Sequence, residues 1–503
     1  MRSSTRLIVN TGAQYTRTLI NLGLSLYSTR LILHALGMDD YGIFTLIAGV
    51  VSMLAFITNA MVSTTQRFMS YHQTRSNLET QQIIFGNSII LHLLFSAIVV
   101  FFLELASLFL FDGFLNIIPE RIDAAKIVYQ CAIAMIICSF MTSPFKALLI
   151  SHENLVYTSI VEVVDGIIKV VIAWLLTSMD HDKLILYGYF MLGINLLNLF
   201  AFTIYDIRHY KECVLPKLCN FNGSYIKSMG SFVGWQLYST GCIIGRTQGI
   251  AIILNRFFGT VINAAFGIAL QVSASVNFIS SALVTSINPQ IVKAEGSGDR
   301  KKMFALAEAA SKFSFLLLAM VIIPISFILP NLLKFWLNTV PEGSVLFCRV
   351  ILYTALIDQI TYGLGSANQA IGNIRPYALT VNTIKFLTVP CLWLLLYINI
   401  PLNIAIWTYP SFEFVCALCR IPFLKYSGGL HIWQFISNVF IKIILPFVFL
   451  VLTYWSLYSI GNILIYLFSS IPTTILYWII IYYVSLNSKE KYIIDSIVSK
   501  IKI

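Results

Sequence analysis

Long apolar stretches joined by short polar connections occupy nearly the whole chain of 503 residues. An α-helix needs about 20 predominantly apolar residues to cross the hydrocarbon core of a membrane. Stretches of this kind lie at residues 10–35, 41–63, 83–111, 126–150, 155–179, 184–206, 229–254, 261–287, 313–333, 347–370, 377–399, 402–424, 436–459 and 462–485. The pattern predicts an all-α polytopic membrane protein with about 14 transmembrane helices.

The composition supports a membrane protein and excludes a soluble one. Hydrophobic residues make up 58% of the chain and charged residues only 11%, with a mean hydropathy of +0.82. Soluble globular proteins contain about 25% charged residues, so this chain could not cover a water-exposed surface. The net charge of +11 is spread over short connections and forms no basic patch, so nucleic-acid binding is not indicated.

The basic residues favour one side of the predicted membrane. Alternate connections on the poorer side hold Arg121, Lys126, Lys183, Arg256 and Lys334. The opposite side holds 21 basic residues, among them Lys146, Lys312 and Arg420, together with both chain ends. Because cytoplasmic connections are enriched in Lys and Arg, both termini are predicted to be cytoplasmic.

The first and seventh apolar stretches resemble each other at a spacing of about 222 residues. Gln14 corresponds to Gln236, and Gly37, which follows the first stretch, corresponds to Gly259. Further matches occur in the same order along both halves, which indicates a duplication of six helices. Since six is an even number, both halves enter the membrane in the same direction, and a pseudo-two-fold axis along the membrane normal is expected.

The duplication predicts three regions along the chain. Residues 1–220 form an N-terminal six-helix bundle, residues 221–430 form a C-terminal one, and residues 431–503 add two transmembrane helices and a cytoplasmic tail. Two similar bundles that rock against each other provide a natural frame for alternating access. Transport is therefore the leading interpretation, and no enzymatic activity is predicted.

Several polar residues fall within the apolar stretches, where they should face a cavity or a polar partner. The residues that we predict to bind substrate lie in the first, seventh and eleventh stretches: Gln14, Arg17, Asn21, Arg30, Gln236, Arg246 and Lys385. Arginine suits a phosphate-bearing cargo, because guanidinium and phosphate form paired, charge-assisted hydrogen bonds. The alternatives are that Arg30 extends to the membrane surface and that Arg246 belongs to a structural ion pair.

Carboxylates within the stretches are candidates for coupling transport to a cation. Asp165 and Lys169 are four residues apart on one helix face, so a structural ion pair is the simpler interpretation. The alternative is a proton or sodium site that includes Glu162 or Asp165. Asp358 is a further candidate carrier, or else a hydrogen-bond partner of the seventh or eighth helix.

The chain resembles known polysaccharide flippases in four segments: N-x-G-A-Q-Y at 10–15, LGMDDYGIFTLIAGVVSML through TTQRFMSYH at 36–72, Asn-Pro-Gln at 288–290, and the turn at 372–377. Over about residues 1–425, it resembles the Wzx-type O-antigen and capsule flippases. These belong to the multidrug/oligosaccharidyl-lipid/polysaccharide (MOP) exporter superfamily.

The resemblance implies a cargo and a location. The family moves undecaprenyl-pyrophosphate-linked oligosaccharide across the bacterial cytoplasmic (inner) membrane through a cationic lumen. Proton antiport, sodium and the membrane potential are all proposed for its coupling. It implies membrane lipids as partners and no cofactor. Many Wzx-type proteins have twelve helices, and the extra pair here resembles the lipid II flippase branch, in which helices 13 and 14 build a groove for the lipid tail.

Two other functions compete with the flippase. A cation-coupled multidrug antiporter of the same superfamily would favour an anionic cavity, whereas Arg30, Arg246 and Lys385 favour an anionic cargo. A membrane-embedded polysaccharide enzyme would need a polar constellation around a histidine, but His34 and His92 stand singly. No metal site is predicted, since the Cys-x-x-Cys motif lies within an apolar helix, where small packing residues are expected.

Overall fold

A computed structural model describes residues 3–52, 54–111, 119–179, 182–214, 222–337, 340–488 and 490–491. Both chain ends, predicted to be cytoplasmic, lie outside these ranges. The long helices are α1 (Val9–Gly37), α2 (Ala55–Arg75), α3 (Leu78–Phe109), α4 (Pro119–Ser151), α5 (Leu155–Thr177), α6 (Lys183–His209), α7 (Gly223–Gly259), α8 (Val261–Phe278), α9 (Arg300–Leu337), α10 (Ser344–Ile360 with Tyr362–Ile371), α11 (Ile374–Tyr397), α12 (Leu402–Gly428), α13 (Ile432–Ser459) and α14 (Ile463–Ser485).

These helices agree with the apolar pattern of the sequence. Eleven are long and apolar enough to cross a membrane, and α10 adds a twelfth with a bend of 48° between its two segments. Helices α2 and α5 have 21 and 23 residues, enough for a span, but contain more polar residues. The prediction of an all-α polytopic membrane protein is confirmed, and the protein is a multi-pass membrane protein.

Glycines interrupt two helices that are otherwise continuous. Helix α1 is part of Ser3–Ser52, which breaks at Gly37, and helices α7 and α8 are parts of Gly223–Gly296, which breaks at Gly259. Both glycines adopt an extended conformation with positive φ, a region that is essentially restricted to glycine. The correspondence between these two positions is therefore present in the backbone as well as in the sequence.

Polar side chains define where several helices begin. Asn77, Asp182 and Asn462 accept hydrogen bonds from backbone N–H groups in the first turns of α3, α6 and α14. Such caps satisfy N–H groups that have no partner within the helix.

The chain divides into two compact units, Met1–Leu237 and Tyr238–Ile503. In the first unit, α1 packs on α5, and α4 packs on α2 and α6. In the second unit, α10 packs on α9 and α12, and α13 packs on α9. The domain boundaries expected at residues 220 and 430 stay a prediction.

Two buried tyrosines fix the last helix, α14, to α9 within the second unit. The hydroxyl groups of Tyr466 and Tyr477 donate hydrogen bonds of 2.7 and 2.8 Å to the carbonyl oxygens of Pro324 and Leu316. The appended helices are therefore an integral part of this unit.

Candidate functional site

The polar face of α1 lies against α5 in the first unit. Gln14 is buried, and the guanidinium of Arg17 donates a hydrogen bond to the carboxylate of Glu162. Asn21 lies close to Gly166, where a Cβ atom would approach the Asn21 Oδ1 to 3.0 Å. The small glycine thus lets the polar side chains of α1 approach α5 closely.

A second cation completes the surroundings of Glu162. The Lys146 ammonium on α4 donates to Glu162 Oε1 at 2.6 Å, so this carboxylate has two cationic partners. One turn along α5, Asp165 forms an ion pair of 2.6 Å with Lys169. The intrahelical pair expected from the spacing of these two residues is present.

These side chains line a polar cavity of about 300 Å³ within the first unit. Amide and hydroxyl groups from α2, α4 and α6 complete it, and Asn198 donates a hydrogen bond of 2.8 Å to Asp165. The cluster around it, called the unit 1 cluster, contains three cations and two carboxylates: Arg17, Lys146, Lys169, Glu162 and Asp165. With all five groups ionised, its formal charge is +1.

The second unit contains a more deeply buried group of charges. Arg246 on α7 pairs with Glu413 on α12 at 2.9 Å, and its guanidinium lies 4.3 Å from the centre of the Tyr409 ring. Such stacking on an aromatic face favours a desolvated guanidinium. Arg246 is therefore held by both an anion and an aromatic ring.

Lysine and arginine from neighbouring helices extend this network. Lys385 on α11 lies 2.7 Å from Glu413 and 3.2 Å from Asp358. Arg420 on α12 donates to Asp358 at 2.7 Å and to the Thr361 hydroxyl at 3.1 Å. The unit 2 cluster again has three cations and two carboxylates: Arg246, Lys385, Arg420, Asp358 and Glu413.

The two clusters share a charge balance but differ in their exposure to water. Water can screen the unit 1 cluster, since four of its ionic side chains line a polar cavity and Arg17 is partly exposed. The unit 2 cluster is largely enclosed, so its ions must compensate one another. Both arrangements have a positive excess and can attract an anion.

The structure brings together many of the residues that the sequence singles out. Asp358 forms ion pairs with Lys385 on α11 and Arg420 on α12. Arg30 is exposed and forms no hydrogen bond or ion pair among the described residues, and Gln236 is half-buried. The assignment of all these residues to substrate or ion binding stays a prediction.

Lys146 and Arg420 are members of these clusters that the sequence analysis placed in cytoplasmic connections. That placement is wrong for Arg420, which is buried within α12, and Lys146 also belongs to an ion pair. Lys312 is likewise buried, within α9. Glu413 and Arg420 are seven residues apart, which is a signal for one shared helix face.

Among the described residues, no group of three or more His, Cys, Asp and Glu side chains could hold a metal ion. Cys416 is buried and Cys419 is half-buried, and both are free. His92 is buried and its Nδ1 lies 2.7 Å from the carbonyl oxygen of Ser88 one turn earlier.

Comparison with known sequences reveals a weak similarity to a membrane protein. No protein-family model matches the chain. An uncharacterized membrane protein, EpsK of Bacillus subtilis (strain 168), is 21% identical over 324 residues, which are 63% of this chain. The match spans 62% of the length of that curated relative.

Solved structures are similar over most of the chain. A MATE transporter in a bent conformation matches with a TM-score of 0.73 and 12% identity, covering 86% of this chain and 98% of the other. The MATE transporter ClbM in complex with Rb⁺ matches with a TM-score of 0.70 and 14% identity, covering 85% of this chain and 97% of the other. A MOP superfamily transporter from Pyrococcus furiosus Vc1 matches with a TM-score of 0.64 and 14% identity, covering 84% of this chain and 95% of the other. The chain therefore has the fold of the MATE transporters of the MOP superfamily.

Proposed function

We propose that this protein is a flippase for lipid-linked oligosaccharide, with undecaprenyl-pyrophosphate-linked saccharide of the O-antigen or capsule type as its cargo. The observation that supports this most is the positive excess of the clusters in both units. A pyrophosphate has several negative charges, and Lys and Arg bind phosphate through charge-assisted hydrogen bonds. The location would be the bacterial cytoplasmic membrane.

The charge balance argues against a cationic drug as cargo. Each carboxylate of the two clusters already has at least one cationic partner within 4 Å, so a cationic substrate would have to displace an internal one. For the Pyrococcus furiosus transporter, a reversed polarity of the binding pocket suggests a different function. We propose a similar reversal of polarity for the binding site of this protein.

The polar cavity in the first unit suits a hydroxyl-rich group. Asn59, Asn195, Asn198, Thr142 and Ser143 line it beside the ionic side chains. Amides and hydroxyls both donate and accept hydrogen bonds, which matches the hydroxyl groups of a saccharide. We assign substrate binding to this cavity and to the predicted residues Gln14, Arg17, Asn21, Arg30, Gln236, Arg246 and Lys385.

Coupling to a cation is proposed to act through Glu162, Asp165 and Asp358. Each of these carboxylates holds one or two internal cations, so protonation of the carboxylate would release them toward an anionic cargo. ClbM has been solved with Rb⁺, which gives sodium coupling as the second possibility for this fold. The pH and sodium dependence of transport distinguishes the two.

Flipping can be tested with purified protein in proteoliposomes that contain a fluorescent undecaprenyl-pyrophosphate saccharide. Substitutions Lys146→Gln and Lys169→Gln remove partly exposed cations from the cavity, and we expect at least a tenfold slower flipping rate. Arg256→Gln removes an exposed cation outside both clusters and is the matched control. Ethidium transport by the wild type without any lipid flipping would support the multidrug antiporter instead.

A further inference from the structure

An apolar groove with a charged mouth runs along the second unit between α9, α10 and α13. Its inner part has a volume of about 380 Å³ and is lined almost entirely by hydrophobic side chains, including Ile323, Leu356, Phe447 and Val451. A wider part of about 890 Å³ begins at the connection between α9 and α10. The two parts share the lining residues Ser326, Phe327 and Tyr353 and are therefore adjacent.

Aromatic side chains surround the wide part, which we call the mouth. Trp407, Trp455 and Tyr458 line it, and all three are substantially exposed. Trp and Tyr concentrate at the level of lipid headgroups, where their rings span the boundary between hydrocarbon and water. The mouth therefore lies at a membrane surface, and the inner groove extends into the hydrocarbon region.

Arg349 and Glu342 carry opposite charges at the mouth and do not form an ion pair with each other. Arg349 is half-buried, and its Nε donates a hydrogen bond of 3.2 Å to the carbonyl oxygen of Ser326. That bond orients the guanidinium, while its two terminal nitrogens form no hydrogen bond or ion pair within the described chain. Glu342 lines the same mouth and forms no ion pair with a described residue. One cation and one anion are thus available to a ligand.

We infer that this groove binds a membrane phospholipid with an ammonium-bearing headgroup, such as phosphatidylethanolamine. Arg349 binds the phosphate, since a guanidinium offers paired N–H donors to phosphate oxygens. Glu342 accepts hydrogen bonds from the ammonium group, and the apolar inner groove holds an acyl chain. A phospholipid with a neutral glycerol headgroup would leave Glu342 unmatched beside a net negative ligand.

The chemistry separates this lipid from the proposed cargo. A polyprenyl pyrophosphate has no cationic group, so Glu342 would repel it at the mouth. The inferred lipid is a bound partner of the second unit, and its presence does not depend on the proposed flippase activity. It would fill the space beside α13 and strengthen the contact of this helix with α9 and α10.

Native mass spectrometry of the delipidated, full-length protein can test the inference. Equal amounts of phosphatidylethanolamine and phosphatidylglycerol with identical acyl chains would compete for the protein, and we expect at least a fivefold preference for phosphatidylethanolamine. Glu342→Gln should abolish the preference by improving the retention of phosphatidylglycerol. Arg349→Gln should lower the retention of both lipids, and Arg256→Gln should change neither.

Equal retention of the two lipids by the wild type would overturn the inference, as would a preference that survives both substitutions. Undecaprenyl phosphate offered as a third competitor gives an independent outcome. If it displaces phosphatidylethanolamine from the wild type, the groove belongs to the cargo and not to a resident phospholipid. The variant Val451→Trp fills the inner groove, and a folded sample should retain less lipid of either kind.

Discussion

Gly37 and Gly259 break their helices with the same backbone conformation, with φ 79° and ψ 175° in the first unit and φ 80° and ψ −169° in the second. An L-residue in this region brings its Cβ against the neighbouring backbone, which costs about 1–3 kcal/mol. Beyond the adjoining backbone, no heavy atom of the described residues lies within 4 Å of a Cβ placed at either position. The conformation alone, and not the available space, therefore requires glycine.

We expect Gly37→Ala and Gly259→Ala each to lower the stability of the protein by about 1–3 kcal/mol through backbone strain. Thermal unfolding in detergent, followed by tryptophan fluorescence, measures the effect. Gly23→Ala and Gly267→Ala are the controls in the two units, because both positions are helical and have open space around a new Cβ. Equal melting temperatures for all four variants would contradict the assignment of strain.

Local sequence spacing was sufficient for some of these features. The Asp165–Lys169 pair was predictable because both partners lie on one turn of one helix. The matching glycines were predictable because a duplication preserves the spacing between a break and the polar residues before it. Apolar periodicity and length were sufficient for the helices, since a membrane allows few alternatives to a helix.

The ion pairs between helices were not predictable in the same way. Arg17 and Glu162 are 145 positions apart, and Asp358 and Arg420 are 62 apart, so only the packing of the helices brings them together. Arg420 is close to the end of an apolar stretch and looks like a basic residue of a cytoplasmic connection. Arg420 is nevertheless buried, because its guanidinium binds the carboxylate of Asp358, which lies close to the bend of α10.

The two clusters should respond differently to the loss of a carboxylate. Glu413 is 1% exposed, and Glu413→Gln removes the anion that pairs with Arg246 and leaves Lys385 with Asp358 as its remaining carboxylate. We expect a loss of about 3–5 kcal/mol, as for other buried pairs that lose one partner. Glu162 is 28% exposed, and water can screen its cations after Glu162→Gln, so about 1 kcal/mol is expected.

Chemical unfolding of the purified variants in mixed micelles would measure this difference. Glu120→Gln serves as the control, since Glu120 is exposed and forms no ion pair in the described chain. The double substitution Glu413→Gln with Arg246→Met should recover part of the lost stability, because it removes the uncompensated cation. A loss for Glu162→Gln as large as that for Glu413→Gln would show that burial does not set the cost.

A buried lysine holds the end of α14 against α9. The Lys312 ammonium is bonded to the carbonyl oxygen of Ser485 at 3.0 Å and to the carboxylate of Glu490 at 2.7 and 2.9 Å. Glu490→Gln should destabilise the protein by about 3 kcal/mol, because the cation remains buried without its anion. Lys312→Met with Glu490→Gln should restore much of this loss, and limited proteolysis near the C-terminus would measure it.

Resistance to proteolysis that is restored in the double variant would show that the Lys312–Glu490 ion pair is the contact that matters. If the double variant is cleaved as readily as Glu490→Gln, the carboxylate acts through another contact, such as its bond from the backbone N–H of Asn487 at 2.7 Å. Lys301→Gln is a suitable control, because Lys301 is exposed at the start of α9 and forms no ion pair with a described residue. Its proteolytic rate should equal that of the wild type.

The contact between His152 and Glu212 predicts how the first unit responds to acid. Burial raises the pKa of Glu212, but the hydrogen bond with His152 and a backbone N–H lower it more, so the pKa lies below its usual 4.5. A depressed pKa stabilises the fold above the unfolded-state value, and this contribution disappears as the pH falls through the lowered pKa of the folded state. His152 also stacks on Tyr210 with ring centres 4.0 Å apart.

We expect His152→Ala to raise the pKa of Glu212, because burial then acts with one opposing contact fewer. As the pH is lowered, the melting temperature of the variant should begin to fall at a higher pH than that of the wild type. His431→Ala changes an exposed site, and its melting temperature should depend on pH as that of the wild type does. In a Glu212→Gln background, His152→Ala should not change how the melting temperature falls in acid, since the carboxylate that His152 contacts is already absent. A pH-dependent effect in that background would assign the acid response to a different carboxylate.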